Sequence, residues 1–347
     1  MKQPKKVRSK RIKIALNGLG RIGRVFLRIA HDNPHFEIVA ANSKSPLETY
    51  VHLIKYDSAY GTWDTDVSQK RNKLVIGDLE IPYFQADDGE WPWKKIGVDV
   101  VIDATGKYTK RVESQKHLDA GAKYVVATAP MDDADETLVF ALNHDKFDPQ
   151  NHRIVSAGSC TTVCSSLVAK VLEENFGIRK GFINTVHAVT GDQMLLDSSH
   201  KDLRRARAAM QSIIPTSTGV SKTITKIYPH LKGKISALSL RVPVLNPSVV
   251  VFTCRLANKT TTEGVNKAFI KASQNGLKNH LAVSNLPLVS SDFRGNPHGA
   301  IVDLPTTEVV DTNFLNLLAW YDNEWGYVQQ MVYLLEYMAR KVASSKK

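Results

Sequence analysis

A single cysteine sits between hydroxyl residues in Ser159-Cys160-Thr161-Thr162, where an apolar, helix-like run over residues 163–176 begins. Backbone N–H groups at a helix start carry partial positive charge, so a sulfur anion placed there is stabilised and the thiol pKa falls toward working pH. Such a thiolate can attack carbonyl carbon. The competing reading is a small residue packed at a helix start. The chain has three cysteines, Cys160, Cys164 and Cys254. They are too few for a disulfide framework, which suits a reducing compartment and leaves a thiol free for catalysis.

A second chemical feature lies closer to the N-terminus. Gly18-Leu19-Gly20-Arg21-Ile22-Gly23 directly follows a strand-like run at residues 12–16 and opens a helical run. Glycines in that setting allow a tight turn and a close approach of backbone to a pyrophosphate, whose charge meets the helix N-terminus. A glycine turn with a purely structural purpose is the alternative. A second strand-like run, 36–41, follows, and its end carries the cofactor choice. An acid there would accept from the ribose 2′-hydroxyl of NAD and repel the 2′-phosphate of NADP. This chain has Asn42-Ser43-Lys44 instead, with no carboxylate before Glu48. Ser43 can donate to a phosphate and Lys44 can neutralise one, or both are polar loop residues.

These groups need elements to hold them. At 347 residues and 43% hydrophobic content, the chain is long enough for two domains and a substantial core. The first half alternates strand-like runs at 12–16, 36–41, 98–102, 124–127 and 138–142 with helical patterns at 21–31 and 111–120. That alternation predicts βαβ units in a mainly parallel sheet. After Cys160, longer strand candidates at 181–187, 235–242 and 248–256, with a polar, arginine-rich loop at 191–209, predict a second, α+β domain. Val328, Met331, Val332, Leu335, Ala339 and Val342 form a C-terminal helical stripe that needs a partner surface.

No apolar run approaches the roughly 18 residues of a membrane helix, and residues 1–13 are polar rather than signal-like, so the cytoplasm is the expected compartment. No metal site is expected. The net charge is +12, and Lys2, Lys5, Lys6, Arg8, Lys10, Arg11 and Lys13 contribute to it without an intervening acid. Such a tail reads as a solvated extension; a transit peptide would need an amphipathic apolar face, and attraction to nucleic acid is a further alternative. The positive balance equally suits an enzyme whose substrate and cofactor both carry phosphate.

Taken together, these residues resemble the phosphorylating glyceraldehyde-3-phosphate dehydrogenase family over about residues 12–342. The likeness is carried by Asn17-Gly18-Leu19-Gly20-Arg21-Ile22-Gly23-Arg24, Lys55-Tyr56-Asp57-Ser58, Ser159-Cys160-Thr161-Thr162, His187-Ala188-Val189-Thr190, the segment 202–219, Arg241-Val242-Pro243 and Trp320-Tyr321-Asp322-Asn323-Glu324-Trp325-Gly326-Tyr327. The resemblance implies a Rossmann-type NAD(P)-binding domain, residues 1–158, completed by a C-terminal helix within 323–347, and an α+β catalytic domain, 159–322. It implies that Cys160 adds to the aldehyde of glyceraldehyde 3-phosphate and that His187 is its base. Hydride transfer then leaves a thioester, and inorganic phosphate releases an acyl phosphate, 1,3-bisphosphoglycerate.

The same likeness implies a substrate-phosphate site at Thr190, Asp192 and Arg241, and an inorganic-phosphate site at Ser159, Thr161, Thr218 and Gly219. Cofactor contacts are implied for Gly18, Gly20, Arg21, Ile22, Gly23, Ser43, Lys44, Thr128 and Asn323, the last toward the nicotinamide carboxamide. Ser198 and Ser199 fall in a loop that a neighbouring subunit of a homotetramer presents to the adenosine ribose. Where strictly NAD-dependent members have Asp and Leu-Pro, this chain has Ser43 and Ser198-Ser199, which implies NADP(H), with NAD also accepted. Against this, Ala86 stands where an Arg is common, within Gln85-Ala86-Asp87-Asp88. Val163 and Gly158 replace the usual Asn and Ala beside the nucleophile. The runner-up is erythrose-4-phosphate dehydrogenase, whose thioester is hydrolysed by water; a basic binding protein on the same fold is the alternative from another class.

Overall fold

The computed structural model describes residues 11–344 of the chain. The tail lysines and arginine from Lys2 to Lys10 lie outside the described residues.

Residues 11–156 build a nine-stranded sheet. Its elements in chain order are β1 (Ile12–Asn17), α1 (Arg21–Ala30), β2 (Phe36–Asn42), α2 (Leu47–Lys55), β3 (Tyr56–Asp57), β4 (Gly61–Thr62), β5 (Val67–Lys70), β6 (Lys73–Ile76), β7 (Leu79–Phe84), α3 (Trp93–Ile96), β8 (Val100–Asp103), α4 (Arg111–Asp119), β9 (Tyr124–Ala127), β10 (Glu136–Thr137) and β11 (Ile154–Ser156). The strand order is β10-β11-β9-β8-β1-β2-β7-β6-β5, with β3 and β4 a separate pair. Pairing is parallel from β10 through β7 and antiparallel for β7-β6 and β6-β5. The mainly parallel sheet read from the alternation of elements is therefore present. β8 and β9 are buried on both faces, as parallel strands covered by helices must be.

One expected strand is absent. The run 138–142 is a turn, and the strand lies just before it at β10. Asn143 is the cause: its Oδ1 accepts from Val139 N–H and its Nδ2 donates to the Thr137 carbonyl, both at 2.8 Å, so this side chain takes backbone groups a ladder would use. Leu138 and Val139 are nonetheless buried, which explains the apolar pattern.

The second unit comprises α5 (Cys160–Phe176), β12 (Ile178–His187), β13 (Ile214–Thr216), α6 (Val220–Ile227), β14 (Ile235–Arg241), β15 (Ser248–Leu256), α7 (Thr262–Gln274), β16 (Leu281–Ser284), β17 (Ala300–Val310) and β18 (Phe314–Tyr321), and α8 (Trp325–Ser344) ends the described chain. Its sheet has the order β13-β14-β12-β15-β18-β17-β16, with β12-β14 and β16-β17 parallel and the rest antiparallel. Helix α5 covers one face. On the other face Phe182, Leu238 and Phe314 are exposed.

The apolar stripe of α8 finds its partners in both units. Val328, Met331, Val332, Leu335, Ala339 and Val342 are all buried, against α1 on one side and α5 on the other. The start of α8 is fastened electrostatically. Arg21, first residue of α1, donates from Nε and Nη2 to Glu324 at 2.8 and 2.6 Å and from Nη1 to Asp57 at 2.6 Å. Asp322 caps the helix: its Oδ1 accepts from the N–H groups of Glu324 and Trp325 at 2.9 Å and from the Tyr60 hydroxyl at 2.8 Å.

Removing one partner of a nearly buried ion pair leaves an uncompensated charge behind. The carboxylates of Asp57 and Glu324 are only 3% and 12% exposed, while Arg21 is 31% exposed. Arg21→Ala is therefore expected to destabilise the fold by about 2–3 kcal/mol at neutral pH in urea unfolding, less than the roughly 3–5 kcal/mol of a fully buried pair because water reaches the guanidinium. Burial pushes the Asp57 carboxyl up, but the bond and charge of Arg21, with the N–H groups of Ala59 and Tyr60, hold it below the usual carboxylate range. That stabilisation is present above the ordinary carboxylate pKa and is lost as pH falls through the lowered folded value. The gap between variant and wild type should narrow below about pH 4; a pH-independent gap would mean that the ion pair contributes nothing to it.

Candidate active site

Ser159 is the N-cap of α5 and Cys160 its first helical residue, because the Ser159 hydroxyl accepts from Thr162 N–H at 3.2 Å. The preceding Gly158 has φ +66°, a left-handed conformation that suits glycine and explains the departure from alanine there. Val163 is buried in the core, where a Cβ on Gly299 would approach its Cγ1 to 2.7 Å, so its side chain packs the helix rather than serving the thiol.

His187 ends β12 and brings Nε2 to 3.4 Å from Cys160 Sγ. Its Nδ1 lies 2.7 Å from the Ala188 carbonyl. Arg241 Nη1 lies 3.1 Å from the same nitrogen, but its two hydrogens have acceptors in the Ala188 carbonyl and Thr190 Oγ1; with Nδ1 donating to Ala188, Nε2 keeps a free lone pair aimed at the sulfur, the tautomer a base needs. Arg241, at the end of the parallel neighbour β14, donates from Nη1 to the Ala188 carbonyl at 3.2 Å and to Thr190 Oγ1 at 3.1 Å. Its Nε is buried and has no partner among the described residues. An anion at this point would meet an unsatisfied fork of donors.

The expectation that the helix start lowers the thiol pKa needs correction. Burial pushes the Cys160 thiol up, more than the Arg241 charge and the Thr161 donors pull it back. The neutral imidazole is favoured too: burial first, then Arg241, takes His187 down to about 3. A thiolate therefore requires that its proton pass to Nε2. Opposite charges at 3.4 Å attract by roughly 5 kcal/mol at an effective dielectric of about 20, enough to offset several pH units of desolvation.

Hydroxyls hold this pair in register. The Tyr321 hydroxyl, at the end of β18, lies 2.9 Å from Thr161 Oγ1 and 2.8 Å from Thr185 Oγ1, linking the first turn of α5 to the strand that carries His187. Ser248 accepts from Ala188 N–H at 3.0 Å and donates to Asn323 Oδ1 at 3.0 Å. Ser248 escaped the sequence reading, as did the role of Tyr321 within its motif. Arg205 did as well: its Nε donates to Thr216 at 2.9 Å and its Nη1 pairs with Asp192, which also lies 3.5 Å from His200. Nothing in the Arg204-Arg205-Ala206-Arg207 run says which arginine turns inward; only the fold leaves Arg205 19% exposed against 66% for Arg207.

The expected residues therefore form one tight group and several outlying ones. Cys160, His187, Thr190 and Arg241 come together. Thr161 is tied to Tyr321, and Ser159 serves its helix as a cap. Thr218 and Gly219, the latter the N-cap of α6, face a cleft of about 610 Å³ shared with Lys110, Met131 and Lys222. No hydrogen bond joins them to the cysteine.

A larger cleft of about 730 Å³ runs over the glycine turn, lined by Gly18, Gly20, Ser43, Lys44, Asp87 and Asp88 among others. The glycines have separate reasons. A Cβ at Gly18, whose φ is +98°, would meet the Ala104 and Thr105 backbone at 2.8 Å, and one at Gly23 would lie 2.1 Å from the Gly18 carbonyl oxygen, whereas one at Gly20 would come no closer than 3.9 Å, to the Ala104 carbonyl oxygen. So two glycines permit the turn and the third admits a ligand to the first-turn N–H groups of α1, including those of Arg21 and Ile22. This cradle fits a pyrophosphate. The Arg21 side chain is turned away into its ion pairs, so its backbone N–H is the group available to the cleft. Ser43 Oγ lies 2.5 Å from the Tyr50 hydroxyl, and Lys44 pairs with Asp87. Thr128 follows β9, its N–H donating to the Asp103 carbonyl at 3.0 Å. Ser198 and Ser199 are exposed and do not line this cleft.

Two family models cover most of the chain: the glyceraldehyde 3-phosphate dehydrogenase NAD binding domain at residues 12–111 and the C-terminal domain at 159–323. The chain belongs to the glyceraldehyde-3-phosphate dehydrogenase family. It is 46% identical to the glyceraldehyde-3-phosphate dehydrogenase of Geobacillus stearothermophilus over 331 residues, covering 95% of this chain and 99% of that one. Glyceraldehyde-3-phosphate dehydrogenase 2 of Bacillus subtilis is 43% identical, with 96% and 98% covered, and glyceraldehyde-3-phosphate dehydrogenase 2 of Trichormus variabilis is 44% identical, with 95% and 99% covered. Membership makes the chain an oxidoreductase with a nicotinamide dinucleotide domain joined to an α+β catalytic domain. Among the described residues no helix is long and apolar enough to cross a membrane.

If the thiolate depends on His187, then His187→Asn leaves burial as the dominant influence on the sulfur. The pH midpoint for alkylation of Cys160 by iodoacetamide should rise above the ordinary thiol value, and the rate at pH 7 should fall by at least about tenfold. An unchanged midpoint would mean that the helix start alone makes the thiolate.

Proposed function

We propose that this enzyme catalyses the phosphorylating oxidation of glyceraldehyde 3-phosphate to 1,3-bisphosphoglycerate, and the reverse, with NADP(H) preferred and NAD(H) also accepted. The observation that carries the proposal is Cys160 Sγ at 3.4 Å from His187 Nε2, at the start of α5 and beside an unsatisfied Arg241. A dinucleotide in the cleft supplies the hydride acceptor. The rest is done by side chains. Cys160 gives its proton to His187 and adds to the aldehyde carbon, and the imidazolium passes that proton to the resulting alkoxide; the neutral His187 Nε2 then takes the hydroxyl proton back as hydride leaves, and a thioester remains on Cys160. Arg241 and Thr190 hold the substrate phosphate, with Asp192 fixing Arg205 beside them. Inorganic phosphate attacks the thioester from the side of Ser159, Thr161, Thr218 and Gly219, releasing the acyl phosphate and a Cys160 thiolate that takes its proton back from His187.

The NADP preference rests on Ser43 in place of an acid at the end of β2, with Lys44 beside it. Ser198 and Ser199 bear on the cofactor only when a neighbouring copy presents them, since they lie outside the cleft of their own chain. The open sheet face with Phe182, Leu238 and Phe314 supports assembly as a homotetramer. A nucleophilic thiol calls for a reducing compartment, the cytoplasm.

The decisive assay supplies glyceraldehyde 3-phosphate with NAD or NADP, with and without inorganic phosphate. Turnover should require phosphate, and kcat/KM should favour NADP; rates indifferent to phosphate would indicate hydrolysis of the thioester, as in erythrose-4-phosphate dehydrogenase. Cys160→Ser should lower kcat by at least about a thousandfold while leaving dinucleotide binding intact.

A further inference from the structure

The loop after β7 closes one end of the dinucleotide cleft and is tied to the end of β2. Ala86 N–H donates to Asn42 Oδ1 at 2.9 Å, and Gln85 Nε2 donates to the Lys44 carbonyl at 3.0 Å. Lys44 Nζ in turn donates to the Ala86 carbonyl at 3.3 Å and to the Asp87 carboxylate. The two acids of this loop differ in kind. Asp88 accepts from the Tyr108 hydroxyl and lies 3.6 Å from Lys116, which holds it to another part of the wall. Asp87 is engaged with Lys44.

In a dinucleotide fold of this type the acid at the end of the second strand accepts from the ribose 2′-hydroxyl. That position is Ser43 here, and its hydroxyl is already against Tyr50. A carboxylate nevertheless reaches the same cleft from the adjacent strand. We propose that Asp87 is a specificity-determining residue: its carboxylate is the acceptor for an unphosphorylated ribose 2′-hydroxyl, and by holding Lys44 it competes with a 2′-phosphate for the same ammonium group.

This rests on the dinucleotide reading above and gives the cleft two arrangements. With NAD, Lys44 stays on Asp87 and the 2′-hydroxyl donates to the carboxylate. With NADP, Lys44 moves to the phosphate, and Asp87 is left as a like charge beside it. Both side chains of the pair are well exposed, 58% for Lys44 and 80% for Asp87. Exposed ion pairs are weak. A phosphate can therefore take the lysine from Asp87, which is how one cleft admits both cofactors. An acid at the half-buried position 43, less exposed than Asp87, would yield less readily.

Asp87→Asn, Lys44→Ala and the double variant test this by two readouts, each compared with wild type. The first is the ratio of kcat/KM for NADP to that for NAD; the second is the calorimetric affinity for 2′-AMP against 5′-AMP. Asp87→Asn should raise both ratios by about five- to tenfold, through KM rather than kcat. In the Lys44→Ala background the same change should improve NADP and 2′-AMP by less than about twofold, because no ammonium remains to be released. Unchanged ratios in folded Asp87→Asn would overturn the role of Asp87. Gains of equal size with and without Lys44 would overturn the competition for the ammonium and leave repulsion alone. A wild type that strongly prefers NAD would defeat the NADP preference proposed above, yet a rise in Asp87→Asn relative to it would still support this role.

Discussion

Everything at the reactive centre depends on holding the first turn of α5 in register with the end of β12. The Tyr321 hydroxyl performs that task by bonding to Thr161 on the helix and Thr185 on the strand, in a position closed to water. Buried hydroxyls with satisfied partners specify geometry strongly, because the alternative is an unpaired polar group in a low dielectric. Helix α5 cannot slide to relieve it. Val163, Cys164, Leu167, Val168, Val171 and Leu172 are all buried against the sheet and its neighbours. A separation of 3.4 Å between Sγ and Nε2 is thus a property of the whole catalytic sheet.

The two units are joined by the same short stretch that supplies this tyrosine. Tyr321 orders the nucleophile's helix, Asp322 caps α8, Asn323 completes the chain of bonds from Ala188 through Ser248, and Glu324 receives Arg21 from the first turn of the dinucleotide helix. Four consecutive side chains therefore connect thiol, base, cofactor cleft and C-terminal helix. Each is buried, so none can be exchanged for water at low cost. The cleft that admits a dinucleotide and the pocket that holds the cysteine are fixed relative to each other by covalent proximity within this segment.

The electrostatics of the site follow from competing demands. Burial keeps the thiol and imidazole neutral in isolation, and Arg241 tilts both toward the forms it can tolerate near a positive charge: thiolate sulfur and neutral ring. Bringing an anionic phosphate to Arg241 would reduce that bias against imidazolium. In the proposed reaction, anion binding at Arg241 and the basicity of His187 are coupled through a single guanidinium, whose Nε is buried without a partner among the described residues.

Local pattern determined a great deal. Strand-glycine-helix order placed β1, the turn and α1; apolar spacing placed α8 and its buried face; and residue type at helix start marked Cys160, because these signals are set by neighbours in the chain. Failures occurred where a side chain overrode the pattern, as when Asn143 turned the apolar run 138–142 into a turn. Short antiparallel strands escaped notice for different reasons: β5 has Val67 as its one apolar residue, and β6, though apolar over Leu74-Val75-Ile76, is only four residues long. What the tertiary structure alone decided was partnership: that Arg205 rather than its arginine neighbours turns inward, that Arg21 serves an ion pair through its side chain and the cleft through its backbone, and that Asp87 meets Lys44 although β2 and the loop after β7 are far apart in sequence. Such choices depend on distances across the sheet and on which charges are desolvated together, and residue order does not encode them until the chain has folded.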